Sequence, residues 1–200
     1  MRFEHLTPNQ FTSIQSQYDT VLAHAASPHP LDPAVAHLAA LWIGDHLTER
    51  VAQRFRGRVA MWPLGPTWWC RPSDPIWLAE VRRSFPYPSR FGVLVTDRLL
   101  VKDALTIPDA DGVPWVLFDW HRWLQRRVDP SRRAEAWAYL SHACPAYEGS
   151  PERRRLGLPE EMLTAMAREG NRLFGALESA LADRIQALWN TTGKPGQADR

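Results

Sequence analysis

The sequence predicts an α+β fold: one helix-dominated domain with a small antiparallel sheet and a long C-terminal helix. Three features lead to this prediction. Apolar residues recur at helical spacing in several stretches, short runs rich in Val, Leu and aromatic residues fall between residues 91 and 118, and the last periodic stretch is about thirty residues long. A chain of 200 residues buries roughly 70% of its unfolded surface and needs neither metal nor disulfide. We expect one globular domain over residues 1–190 and a disordered tail over 191–200.

The N-terminal part is predicted to form two helices. Thr7 can cap the first one and Gln10 completes a capping box. The helical spacing of apolar residues then continues to about residue 25. Asp32, followed by proline, opens the second helix by the same chemistry, and Gly57 marks its end.

The middle of the chain is predicted to contain the sheet. A short strand can begin at Arg58, and a short helix follows Asp74. The turn residues between the later apolar runs favour an antiparallel meander. The strands expected in it are residues 91–95, 99–101 and 113–118, with turns at 96–98 and 109–112.

The C-terminal part is predicted to be helical. Asp119 can cap a helix that runs to about residue 127, and Asp129 can cap another that runs to about residue 143. The last and longest helix covers about residues 159–189. Its apolar stripe either closes the core or pairs with a second copy of the chain, which would make a homodimer.

The composition indicates where the protein works. Of 24 basic residues only Lys102 and Lys194 are lysines, and this preference for Arg, with abundant Ala and Pro, is typical of a high-GC bacterial genome or a mobile element within one. The first residues lack the apolar stretch of a signal peptide, and no segment is long enough to span a membrane. Two cysteines, Cys70 and Cys144, are not a disulfide framework. We expect a cytoplasmic protein without membrane insertion.

Charge is unevenly distributed along the chain, although the formal net charge is only +2. Residues 1–49 carry one arginine against five acidic residues, whereas residues 50–90 carry eight arginines against Asp74 and Glu80. Residues 120–133 add five more arginines against Asp129. The middle of the chain is therefore basic, whereas its start is acidic.

Metal and cation sites are not predicted. His37 and His46 are nine residues apart, which places them on opposite sides of a helix, so they cannot share a ligand set. Asp109, Asp111 and Gly112 superficially suggest a cation loop, but no further oxygen ligands follow at the required spacing. A hairpin turn is the better interpretation there, and we expect no cofactor.

Nucleophilic and nuclease-like sites are also weakly indicated. Asp97, Lys102, Asp103 and Asp119 could form a nuclease-like site, but alternation puts Lys102 and Asp103 on opposite faces of a strand. A thiol nucleophile is not indicated either, since the nearest histidine lies two positions from Cys144 on a helix. An enzyme remains an alternative only if distant residues converge in space, with Asp97, Asp103, Asp119 and His121 the first to test.

Tryptophan and arginine occur together in two parts of the basic middle. These residue types dominate binding hot spots, because Trp offers a large rigid face and Arg a planar donor fork. Trp68 and Trp69 are adjacent in a proline-rich stretch and are the best exposed anchors, whereas Trp at helical spacing is expected to be core (Trp42, Trp77, Trp137 and Trp189). The predicted partner-binding residues are Trp62, Trp68, Trp69, Arg71, Arg82, Arg83, Trp120, Arg122 and Arg126.

These observations favour a non-catalytic accessory or regulatory protein, such as an inhibitor, that binds a protein partner through this Trp/Arg-rich surface. Binding of nucleic acid by the basic middle is the alternative, since arginine contacts phosphates and aromatic rings stack on bases. The small net charge argues against nucleic acid.

Overall fold

Helices dominate the computed structural model, which describes residues 7–26, 38–66, 74–85, 88–97 and 106–192. Single 3-10 turns lie at Gln15–Gln17 and Pro130–Arg132. The α-helices are Pro8–Ile14 (α1), Ala39–Arg54 (α2), Pro75–Ser84 (α3), Trp120–Gln125 (α4), Arg133–His142 (α5), Pro145–Glu148 (α6), Pro151–Arg155 (α7) and Glu160–Thr192 (α8). The strands are Thr20–Ala26 (β1), Val59–Pro66 (β2), Phe91–Thr96 (β3), Thr106–Pro108 (β4) and Pro114–Asp119 (β5).

The five strands form one mixed sheet in the order β2-β1-β3-β5-β4. Strands β2, β1, β3 and β5 are parallel, and only β4 runs antiparallel, against β5. The predicted α+β class with a long C-terminal helix is confirmed. The predicted antiparallel meander is wrong. β5 lies beside β3 and runs parallel to it, and the short strand β4 pairs with the outer side of β5 at the edge of the sheet. The strand predicted at residues 99–101 lies outside the described residues.

The first predicted helix is shorter than its apolar spacing indicated. Its capping box forms, with Thr7 N donating to Gln10 Oε1 at 2.9 Å and Gln10 N donating to Thr7 Oγ1 at 3.4 Å. The helix α1 ends at Ile14, however, and the residues predicted to continue it form β1. Every residue of β1 is buried, and a strand buried on both faces loses the polar alternation that would distinguish it from a helix.

The other predicted helix boundaries agree more closely with the structure. Residues 27–37, where the second helix was predicted to start, lie outside the described residues, and α2 ends at Arg54, close to Gly57 with its φ of 86°. Asp74 accepts a hydrogen bond from Ile76 N at 2.9 Å, and Asp119 accepts one from Arg122 N at 2.7 Å. Both predicted caps are therefore present. Of the predicted disordered tail, residues 193–200 lie outside the described residues.

Helices cover both faces of the sheet. Along β1, Leu22 belongs to the core shared with α2, α5 and α8, whereas its neighbours Val21 and Ala23 belong to the core shared with α3. This alternation separates two apolar cores, one on each face, with the sheet between them. Within the described ranges, no helix is both long and apolar enough to cross a membrane.

The last helix closes the larger core. With 33 residues, α8 is about 50 Å long. Five of its buried residues belong to the larger core beside α2 and the sheet, namely Phe174, Leu177, Leu181, Ile185 and Leu188. The apolar stripe is thus covered by the chain itself, and dimerisation through α8 stays a prediction.

A group of polar contacts ties the C-terminal end of α8 to the amino ends of β1 and β2. Trp189 Nε1 donates to Thr20 Oγ1 at 2.9 Å, and the Arg58 guanidinium lies 3.8 Å from the centre of a Trp189 ring. Arg58 also pairs with Asp19 at 2.9 Å. We call Asp19, Thr20, Arg58 and Trp189 the amino-edge clamp, because it joins three elements that are far apart in sequence.

The crossing of α5 and α8 depends on Gly170. A Cβ at this position would lie 2.0 Å from the carbonyl oxygen of Tyr139 and 2.8 Å from the Cβ of Ala143. Both neighbours belong to the chain around the end of α5, and a backbone carbonyl cannot rotate away. The two helices must therefore separate to admit even one methyl group.

We predict that Gly170→Ala lowers the free energy of unfolding by about 3 kcal/mol, because it overpacks this crossing. Gly175→Ala is the matched control on the same helix, since no atom lies within 4 Å of the added Cβ. It should raise stability by roughly 0.5–1 kcal/mol through the lower entropy of the unfolded chain. Urea denaturation followed by circular dichroism measures both, and equal effects would contradict the close crossing.

Candidate functional site

The predicted partner-binding surface is described only in part. Trp68, Trp69 and Arg71 lie outside the described residues. Trp62 is half-buried: its Nε1 donates to Ser84 Oγ at 3.2 Å, and its ring meets Phe85 edge-on with 5.5 Å between centroids. Part of the Trp62 ring is therefore used to join β2 to the end of α3.

Arg82 and Arg83 are engaged within the chain. Arg82 Nε donates to Asp109 at 2.8 Å, both arginines also bind Asp111, and the Arg82 side chain is only 12% exposed. The predicted hairpin turn at residues 109–112 is present, with Gly112 at a φ of 82°. These arginines thus anchor the β4–β5 turn to α3, which leaves Arg83 the more accessible of the two.

Asp109 is the centre of this network. Its buried carboxylate accepts hydrogen bonds from Trp115 Nε1 at 3.2 Å and from the backbone of Val113 at 3.0 Å, besides the bond from Arg82. Burial raises the pKa of Asp109, but the bonds from Arg82, Trp115 and the turn backbone outweigh that effect, so its pKa lies below the ordinary value. The carboxylate stays charged and holds the turn in place.

Trp120 cannot serve as an exposed anchor in this structure, which corrects its predicted role. Its side chain is 0% exposed and belongs to the larger core. Asp119 caps α4 immediately before it, and this fixed helix start directs the Trp120 ring beneath the helix. The ring of His121 lies 5.8 Å from Trp120 and 5.1 Å from Trp137. Trp137 is buried as predicted, and Trp42, Trp77 and Trp189 are partly buried against the cores.

Three arginines form a cluster that the sequence did not bring together. Arg126 follows α4, Arg127 is its neighbour, and Arg184 comes from α8; all three are exposed. Burial of part of its guanidinium lowers the pKa of Arg184, and the positive charges of Arg127 and Arg126 lower it further. We call Arg126, Arg127 and Arg184 the arginine cluster. Arg126 was predicted as a binding residue, whereas Arg184 is 58 positions away and carries no local signal of this role.

Aromatic rings hold two members of the arginine cluster in place. The guanidinium of Arg127 lies 4.0 Å from the ring centre of Trp123, and that of Arg184 lies 5.1 Å from the ring centre of Phe118. Stacking on a ring restricts a long side chain, and Arg127 Nη1 also donates to the carbonyl of Trp123 at 3.5 Å. The predicted residue Arg122, on α4, is half-buried close to this cluster. The cluster is therefore a partly ordered cationic surface.

Two of the residues named for the enzyme alternative, Asp97 and Asp119, carry carboxylates at the same edge of the sheet. Asp119 ends β5 opposite Thr96 of β3, and Asp97 follows directly, so both acids lie at the carboxyl edge of the sheet and both are buried. The carboxylate of Asp119 accepts a hydrogen bond from Arg122 N and so caps α4. Lys102 and Asp103 lie outside the described residues. Among the residues that the structure describes, no three His, Cys, Asp or Glu side chains are arranged to hold a metal ion.

The buried thiol offers no nucleophile. Cys144 is 1% exposed within the larger core, and its Sγ donates to the carbonyl of Leu140 at 3.2 Å. Burial raises the pKa of this thiol far above its ordinary value, and the charge of Asp45 raises it further. The group is therefore protonated and serves packing.

His24 is a buried imidazole in the interior strand β1. It fills the space above Gly44 of α2, where a Cβ would lie 1.9 Å from its Nε2, and this nitrogen has no hydrogen-bond partner among the described residues. Burial lowers the pKa of His24 to about 4, although the nearby charge of Asp45 acts in the opposite direction. The side chain is neutral near pH 7 and acts as a space-filling group.

No family model matches this chain, and neither the curated proteins nor the solved structures contain a match to it.

We predict that Asp109→Ala lowers the free energy of unfolding by about 3–5 kcal/mol, because it leaves the little-exposed Arg82 without its buried partner. Asp111→Ala, which removes the more exposed acid of the same turn, should cost about 1 kcal/mol or less. Chemical denaturation of both variants gives the comparison. A loss for Asp109→Ala no larger than that for Asp111→Ala would contradict the central position of Asp109.

We predict that His24 makes the protein less stable in mild acid. The unfolded state binds a proton near the ordinary pKa of 6.5, whereas the folded state does so only near 4. The contribution is complete above 6.5 and is lost as pH falls towards 4, by about 3 kcal/mol. His24→Gln removes this titration, so the stability difference between wild type and variant should shrink over that range. A difference independent of pH would contradict the burial of a neutral imidazole.

Proposed function

We propose that this chain is a non-catalytic accessory or regulatory protein, such as an inhibitor, that binds an acidic surface of a protein partner through the arginine cluster. The observations that carry the proposal are the exposure of Arg126, Arg127 and Arg184 and the stacking of Arg127 on Trp123 and of Arg184 on Phe118. The charges of Arg126 and Arg127 act on Arg184, and carboxylates of a partner are electrostatically complementary to such a group.

The stacked geometry supports a protein partner. Trp123 and Phe118 hold two guanidinium groups before binding, so less side-chain entropy is lost when the complex forms. A planar guanidinium binds a carboxylate with two parallel hydrogen bonds, which gives an orientation as well as attraction. Arginines and partly buried aromatic rings in one place are the combination typical of hot spots.

We propose a separate partner contact for Trp62, Trp68, Trp69, Arg71 and Arg83, because Trp62 and the helix α3 that carries Arg83 pack on the smaller core, whereas the Phe118 and Trp123 rings that hold the arginine cluster belong to the larger core. Their contribution is a hypothesis from the sequence, and Trp62 supports it with a ring that remains half-buried at the sheet edge. The Arg-dominated composition supports a high-GC bacterium, or a mobile element in one, as the source of this protein. We place its activity in the cytoplasm.

Nucleic acid is the second candidate partner, because the arginine cluster could also bind phosphates. The two candidates differ in their response to salt. A nucleic-acid complex loses affinity steeply as salt rises, since many condensed counterions are released on binding. A complex with an acidic protein surface depends on fewer charges and survives nuclease treatment.

We predict that Arg126→Glu/Arg127→Glu abolishes capture of the protein partner from a lysate of the source cells. Capture is performed with and without nuclease, and the retained protein is identified by mass spectrometry. With that protein purified, the double substitution should weaken binding by at least about tenfold, which is about 1.4 kcal/mol. The reversed charges repel carboxylates instead of binding them.

The matched control is Arg154→Glu/Arg155→Glu, because these two arginines are also adjacent, exposed and at the end of a short helix, α7. The control should retain the partner at wild-type affinity. Equal loss in both double variants would mean that overall charge, not the arginine cluster, governs binding. Loss of the captured material on nuclease treatment would favour nucleic acid.

A further inference from the structure

A second basic surface lies on the other side of α8, between that helix and the C-terminal half of α2. It is a concavity of about 760 Å³, and its lining residues are His46, Arg50, Gln53, Arg54, Arg56 and Glu178. The arginine cluster lies beside α4 and β5 instead, so the two surfaces share no residue. We call this second surface the α2–α8 concavity.

Positive charge exceeds negative charge in the α2–α8 concavity. Glu178 pairs with Arg50 at 3.0 Å and with Arg54 at 3.6 Å, so one carboxylate lies between two guanidinium groups. Arg56 has no acidic partner among the described residues. Three arginines against one glutamate leave two positive charges uncompensated, since His46 does not add to them.

His46 is neutral because burial lowers its pKa and the charge of Arg50 lowers it further, against weaker opposing effects of Glu49 and Asp45. Its ring packs edge-on against Phe174, with 4.8 Å between centroids. The Arg50 guanidinium lies 5.8 Å from the same Phe174 ring and also donates to Asn171 Oδ1 at 3.2 Å. One wall of the concavity is therefore ordered by ring and hydrogen-bond contacts with α8.

We propose that the α2–α8 concavity binds a phosphate-bearing small molecule. Its two excess positive charges match a phosphate monoester, which carries about two negative charges near neutral pH. Guanidinium groups bind phosphate oxygens in pairs, and arginine is the residue best suited to this geometry. The α2–α8 concavity is open to solvent, and its volume of about 760 Å³ exceeds what one phosphate occupies.

Arg54 and Arg56 are the residues that would hold the phosphate. Arg50 binds Glu178 at 3.0 Å and also donates to Asn171. Arg54 lies farther from Glu178, at 3.6 Å, and its side chain is 40% exposed, so it is more accessible to a ligand. Two positive groups near the end of a helix are also favourable to its carbonyl ends. Substitution of these arginines can therefore lower the stability of the protein even if they bind no phosphate, so phosphate binding and stability must be measured separately.

The test is calorimetric titration of the full chain at low salt, first with pyrophosphate and then with a nucleoside triphosphate. We expect saturable binding of pyrophosphate, and Arg54→Gln/Arg56→Gln should weaken it at least about tenfold. Arg154→Gln/Arg155→Gln is the matched control, because these adjacent exposed arginines lie outside both proposed surfaces, and it should bind as the wild type does. Tighter binding of the nucleoside triphosphate would assign the remaining volume to an organic portion, and equal binding would assign the site to the phosphate group alone.

A second readout is the imidazole of His46, followed by NMR as pH is varied. A bound anion next to this wall should raise the pKa of His46, because it offsets the charge of Arg50. The absence of saturable binding at millimolar pyrophosphate would overturn the proposal. Equal weakening in the two double variants, or binding of an oligonucleotide that pyrophosphate does not displace, would overturn it as well.

Discussion

The fold depends on an interior strand, β1, that is buried on both faces. No side chain of β1 reaches solvent, and β1 pairs with β2 on one side and β3 on the other. Because neither face is exposed, helices must cover both, and the chain supplies α3 for one face and α2, α5 and α8 for the other. Both basic surfaces are consequences of this layering, since each lies where α8 meets a neighbouring element of the larger core.

Several arginines stabilise the fold through specific contacts, in addition to carrying charge. Arg58 stacks on Trp189 in the amino-edge clamp, Arg127 stacks on Trp123, and Arg82 holds a buried carboxylate. Lysine could not replace these contacts, because an ammonium group has neither the planar face nor the fixed donor fork. The abundance of Arg and Trp is therefore partly explained by packing within the chain, and only the remainder is available for partners.

Helix ends and turns were predictable because their determinants are local. The caps at Asp74 and Asp119 and the turn at Asp109 each depend on residues within a few positions. The strand β1 was not predictable, because full burial gives it the same apolar composition as a buried helix. The arginine cluster was half predictable: Arg126 stands in a basic stretch, but only the packing of α8 against β5 brings Arg184 beside it.

The amino-edge clamp also has a consequence for biosynthesis. It joins Thr20, near the beginning of the described chain, to Trp189 in the last turns of α8. The larger core lacks part of its cover until α8 has been synthesised and has left the ribosome, since α8 contributes five buried residues, from Phe174 to Leu188, to that core. A nascent chain that stalls before α8 therefore exposes part of this apolar core to chaperones and proteases.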